Sequence, residues 1–114
     1  MTKHIDENSI VTTEVGQNQI WAANWVGIKK PGTFITSGGM GTMGYGLPAA
    51  VGAKVGAPSE KVICIAGDGS FQMSMNELGT IKQNDIGVKV ILFNNSRLGL
   101  VREIQKQRFC SRYS

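Results

Sequence analysis

The chain has 114 residues, 41% of them hydrophobic and 18% charged, which accommodates one globular domain and excludes both a disordered chain and a two-domain one. Its formal charge of +4 gathers near the end, at Arg102, Lys106, Arg108 and Arg112. A nucleic-acid site would array basic residues along one face with interleaved aromatics, whereas these read as a solvated helix face at a cut end. Cys64 and Cys110 lack metal-ligand or disulfide spacing, and no apolar run is long enough to span a bilayer, so a cytoplasmic protein without membrane or nucleic-acid partners is expected.

The elements alternate along the chain. Residues Ser9 to Thr13 read as a strand, and Gln17 to Val26 as a helix in which Trp21 and Trp25, four apart on one face, are core residues. Thr33 to Thr36 is a second short strand. Met43 to Val55 is a glycine-rich helix whose Pro48 is tolerable in the first turn. Lys61 to Ala66 (KVICIA) is a continuous apolar strand of the kind buried on both faces, with Cys64 as a small core residue. Phe71 to Gln83 is an amphipathic helix with Met75, Leu78 and Ile81 at threefold spacing on one side. Val88 to Phe93 is another buried strand, and Gly99 to Gln107 a last helix. Strands alternating with helices predict one α/β domain over residues 1–114, an open, mostly parallel doubly wound sheet with helices on both faces.

In such sheets ligands bind outside the carboxyl ends of the strands. Asp68 and Asn95 each follow a predicted strand. If those strands are neighbours, about 4.8 Å apart, a carboxylate, an amide oxygen and a nearby carbonyl can converge on one hard cation. Gly67, Gly69 and Ser70 let the backbone approach a ligand, and the N–H groups at the start of the next helix favour an anion. A cation on Asp68 beside an anion is a magnesium-diphosphate arrangement. The blander alternative is that Asp68 and Ser70 cap a helix while Asn94 and Asn95 make a turn. A second alternative comes from Gly39-Met40-Gly41-Thr42-Met43-Gly44. It matches the dinucleotide pattern G-x-G-x-x-G, with Asp68 then serving a ribose hydroxyl.

Gly67-Asp68-Gly69-Ser70 followed by Asn94-Asn95 resembles the thiamine-diphosphate motif of the family that includes pyruvate decarboxylase, pyruvate oxidase and acetolactate synthase. Three longer strings, TTEVGQNQIWAA, TFITSGGMGTMGYGLPAAVGAK and GDGSFQMSMNEL, are similar to the catalytic large subunit of acetolactate synthase. The resemblance implies that Asp68 and Asn95 bind Mg²⁺ through their side chains and Arg97 through its carbonyl. It places Gly16, Gln17, Gly69 and Ser70 at the diphosphate. Gly41 and Met43 go to the aminopyrimidine, with Met43 as the wedge that folds thiamine into a V. It further implies decarboxylation of pyruvate and ligation of the product to a second 2-oxoacid, in a homo-oligomer.

The same resemblance implies components absent from this sequence. The glutamate that activates the cofactor belongs to a pyrimidine-binding domain of a neighbouring subunit, and FAD to a central domain. The chain is therefore read as a fragment, inactive alone, with an exposed sheet edge. Two positions depart from the pattern. Asn18 stands where a histidine near the diphosphate is usual, and Leu100 and Ile104 replace methionine and tryptophan near the substrate channel.

Overall fold

The fold was analysed in a computed structural model, which describes residues 4–113. Four strands, β1 (Ile10–Thr13), β2 (Phe34–Thr36), β3 (Val62–Gly67) and β4 (Val88–Phe93), form one all-parallel sheet in the order β2-β1-β3-β4. Between them run α1 (Gln17–Trp25), α2 (Gly46–Gly56), α3 (Asp68–Phe71) and α4 (Glu77–Gln83), and α5 (Gly99–Arg108) follows β4. The predicted doubly wound architecture is therefore present. The chain leaves β1 toward β2 on one side and β3 toward β4 on the other. The order thus reverses between β1 and β3, which opens a crevice at their carboxyl ends.

Each face of the sheet carries its own core. On one side Val11, Ile63 and Ile65 pack under Ala22 and Val26 of the first crossover. On the other, Val62, Cys64 and Ala66 meet Leu47 and Ala50 of α2, with Ile81 of α4 at the margin. Burying a side chain such as Leu47 or Ile65 contributes about 1.5–3 kcal/mol, so β3, fully buried along five of its residues, anchors the domain. Burial raises the Cys64 thiol to about 11; its hydrogen bonding with Thr12 opposes the shift and the charge of Glu14 adds to it. Cys64 is the inert core residue its sequence context predicts. Pro48 lies in the first turn of α2, where no intrahelical donor is lost.

Three expectations are corrected. The tryptophans are not core residues: Trp25 is 78% and Trp21 49% exposed. The stripe turned to the sheet is Asn18, Ala22 and, just past the end of α1, Val26, at intervals of one helical turn; the tryptophans occupy the adjoining stripe, where the Trp21 and Phe93 rings make a T-shaped pair with centroids 6.3 Å apart. Nor is β4 buried on both faces. It is an edge strand, with Lys89, Leu92 and Phe93 exposed. The helix predicted over Phe71–Gln83 is broken: the one-turn α3 precedes a run of i→i+3 turns through residues 72–76, and α4 begins at Glu77. The break rotates Met75 and Leu78 to the surface and leaves Ile81 alone of the three against the core. Among the described residues no helix is long and apolar enough to cross a membrane.

Candidate functional site

A cleft, partly open to solvent, lies at the carboxyl ends of β1 and β3. Every residue that the sequence singled out for a ligand lines it except Gly41. Its first wall is the turn after β1. Gly16 has φ 143° and ψ −166°, a combination open to glycine alone, and this lets the chain swing from β1 into α1. The Gln17 side chain donates to Glu103 of α5 at 3.2 Å and occupies the space a Cβ on Gly99 would need. The two N–H groups of buried Asn18 are directed inward, to the carbonyls of Glu14 at 2.9 Å and Ile65 at 3.3 Å. Its Oδ1 faces Gly16 and Gly67.

The second wall is the turn between β3 and α3. Register pairs Gly67 with Phe93, so Asp68 and the residues after β4 emerge side by side. The Asn95 backbone N–H reaches Asp68 Oδ1 at 3.4 Å, and Asn95 Oδ1 accepts the Arg97 N–H at 3.1 Å. One carboxylate, one amide oxygen and the 95–97 backbone are thereby gathered at one edge. Among the described residues that line the cleft, Asp68 is the one acidic side chain, and no group of three His, Cys, Asp or Glu that could hold a metal is found among the described residues. Gly69 lies under the Leu98 side chain, whose tip takes the place of a Cβ. Because α3 is a single turn, its dipole is small, and the anion-seeking groups here are the turn's own N–H donors.

The third wall is the glycine turn between β2 and α2. Gly41 (φ 68°) and Gly44 (φ 81°) take left-handed conformations, and Met43 between them borders the cleft. The Gly41 and Thr42 N–H groups are held by the carbonyl and hydroxyl of Ser37, at 3.1 and 3.0 Å.

One residue in this architecture escaped the reading of the sequence. Glu14 is fully buried at the carboxyl end of β1. Its Oε1 accepts the Leu47 N–H at 3.0 Å, and its Oε2 accepts the Gly44 N–H at 2.9 Å and the Ser70 hydroxyl at 2.5 Å. The signal was its position, an acidic residue immediately after an apolar strand and before a turn glycine. This arrangement also removes the dinucleotide alternative. In that fingerprint the pyrophosphate sits on the first N–H groups of the helix; here Glu14 already accepts that of Leu47, and Pro48 after it has none to offer.

A family model described as thiamine pyrophosphate enzyme, C-terminal TPP binding domain, matches residues 14–114. The chain belongs to this family of thiamine-diphosphate-binding domains. Among its relatives, the acetolactate synthase isozyme 2 large subunit of Escherichia coli (strain K12) is 54% identical over 92% of this chain and 19% of that protein. An acetolactate synthase of Arthrospira platensis is 56% identical over 96% of the chain and 19% of its own length. The acetolactate synthase large subunit of Pyropia yezoensis is 50% identical over 99% and 19%. The chain thus spans 19% of the length of these relatives, the part that corresponds to their thiamine-diphosphate-binding domain.

Proposed function

We propose that this thiamine-diphosphate-binding domain holds the cofactor's diphosphate through Mg²⁺ and serves an acetolactate synthase. Asp68 and Asn95 bind the metal by side-chain oxygens and Arg97 by its carbonyl. The observation that carries this is the meeting of Asp68 and Asn95 at the ends of neighbouring strands, within hydrogen-bond reach of each other. The donor set fits magnesium, a hard cation that takes about six oxygens and prefers to fill several positions with phosphate and water. The Asn95 Oδ1 has two lone pairs and can keep its bond to the Arg97 N–H while facing a cation.

Gly16, Gln17, Gly67, Gly69 and Ser70 surround the diphosphate, the glycines by admitting it close to the backbone. Asn18 lines the same wall, but its side-chain N–H groups are committed to the Glu14 and Ile65 carbonyls, so it supports the turn instead of donating to the anion. Gly41 and Met43 meet the aminopyrimidine. The unbranched methionine is suited to wedge between the two rings of the cofactor. When bound, thiamine diphosphate supplies the electron sink for decarboxylating pyruvate, and the protein's contribution is to orient it. Transfer of the two-carbon unit to a second 2-oxoacid is the reaction proposed for the whole enzyme, and the likeness to acetolactate synthases supports it. For the whole enzyme we propose, from the motif resemblance alone, a pyrimidine-binding domain of another subunit carrying the activating glutamate, a central domain with FAD, and homo-oligomeric assembly.

Calorimetric titration with thiamine diphosphate, with and without Mg²⁺, tests the reading. Magnesium-dependent binding that disappears in Asp68→Ala is the expected result. Binding that is indifferent to both the metal and Asp68 would overturn the assignment of the metal site.

A further inference from the structure

Glu14 joins three parts of the cleft that the chain itself keeps far apart. Gly44 and Leu47 bracket the start of α2, Ser70 lies in α3, and Glu14 stands at the end of β1. Both carboxylate oxygens are committed, to two backbone N–H groups and one hydroxyl, at zero exposure. The Gly44 N–H also reaches the Ser70 Oγ at 3.1 Å, so the four groups form one closed cluster.

We propose that Glu14 is a positioning residue for cofactor binding, a role that rests on the reading of the cleft as a thiamine-diphosphate site. Its carboxylate fills the anion position at the start of α2, which denies that position to a phosphate and leaves the β3–α3 turn as the place for the diphosphate. It also fixes the glycine turn that carries Gly41 and Met43 relative to Gly69 and Ser70. The two ends of the ligand are thereby met at a set separation. A consequence concerns Ser70. Its hydroxyl proton goes to Glu14, so this residue offers the ligand its backbone rather than its side chain.

A glutamine at this position retains the shape but replaces one acceptor oxygen by an N–H₂ group. That group would confront one of the backbone donors. Amide hydrogen exchange by NMR on the ligand-free chain compares wild type, Glu14→Gln and Glu14→Ala. The expected result is a fall in protection of about tenfold or more at Gly44 and Leu47, with β1 and β3 unchanged in Glu14→Gln. Unaltered protection, or a uniform loss across the sheet, overturns the proposal, because a purely structural acid would act on all amides together.

Calorimetry supplies the second readout. In Glu14→Gln, affinity for Mg-thiamine diphosphate should fall by about tenfold, while affinity for Mg-pyrophosphate, which does not touch the glycine turn, falls less. Equal affinities of wild type and variant for thiamine diphosphate would also overturn it. A wild-type chain that ignores thiamine diphosphate sinks the functional reading instead, and the exchange pattern then decides the role of Glu14 alone.

Discussion

Gly46 rests directly on the backbone of Glu14: a Cβ at this glycine would lie 2.5 Å from the Glu14 nitrogen. It would also lie 2.6 Å from the Thr13 carbonyl carbon, and the Gly46 carbonyl accepts the Thr12 hydroxyl at 2.9 Å. α2 is seated on β1 by this contact, and main chain cannot yield as a side-chain tip can. Gly46→Ala is therefore expected to destabilise the domain by at least the ~1–3 kcal/mol typical of overpacking, read as a lower urea midpoint. An unchanged midpoint would show that α2 is free to lift away.

Gly69→Ala is the informative contrast. There the new methyl group meets the end of the Leu98 side chain, which can turn aside. Stability should change by under about 1 kcal/mol, while displacement of Leu98 into the cleft weakens thiamine-diphosphate binding. A stability loss as large as that of Gly46→Ala would refute the distinction between the two sites.

The two thiols should differ sharply in reactivity. Cys64 is buried and its thiol is raised to about 11, while Cys110 is exposed. Since the thiolate is the nucleophile, an aromatic disulfide reagent at neutral pH should modify Cys110 at once and Cys64 only on unfolding. Rapid labelling of both in the folded chain would contradict the packing of β3 against α2.

At the opposite end of the sheet, Asp6 accepts the Ser9 hydroxyl at 2.6 Å and pairs with Lys61 at 2.9 Å. These partners, Ser9 foremost, lower its carboxyl from 3.8 to about 2. The folded state holds the proton less tightly than the unfolded one. Its contribution to stability is thus present above about pH 3.8 and is lost as pH falls toward 2. An NMR titration of Asp6 should show the low midpoint, and Ser9→Ala should move it upward. A midpoint that ignores Ser9 would assign the shift to Lys61 alone.

Trp25 projects from α1 with little to cover it, near the open edge along β4. Trp25→Lys should leave stability within about 0.5 kcal/mol. Self-association in sedimentation velocity should decline, because an apolar patch beside an unpaired strand invites association. An equally associated variant would place the adhesive surface elsewhere.

The sheet and the ends of its strands were legible in the sequence because local pattern determines them. KVICIA has one sensible fate, and Asp68 and Asn95 had to share an edge once β3 and β4 proved neighbours. Exposure was less legible. VKVILF has the composition of an inner strand, and only the strand order makes it an edge. Trp21 and Trp25 look like core by hydrophobicity, yet the small residues beside them set how α1 lies on the sheet. The helix expected over Phe71–Gln83 gives way to turns at residues 72–76, shortly after Ser70, which is held to Glu14 by a contact between residues 56 apart in sequence that no local window contains. Glu14 itself was passed over for the same reason: its three partners lie between 30 and 56 positions away.

The walls of the cleft come from the turns that follow β1, β2, β3 and β4, with no strand unrepresented. A ligand seated there acts as a fastener across the whole sheet, since no strand can detach without releasing it. Heat resistance should therefore be a property of the solution as well as of the chain. A cofactor present at a hundred times its dissociation constant adds about 2.7 kcal/mol to unfolding. The melting temperature should keep climbing with the logarithm of cofactor concentration long after every site is filled.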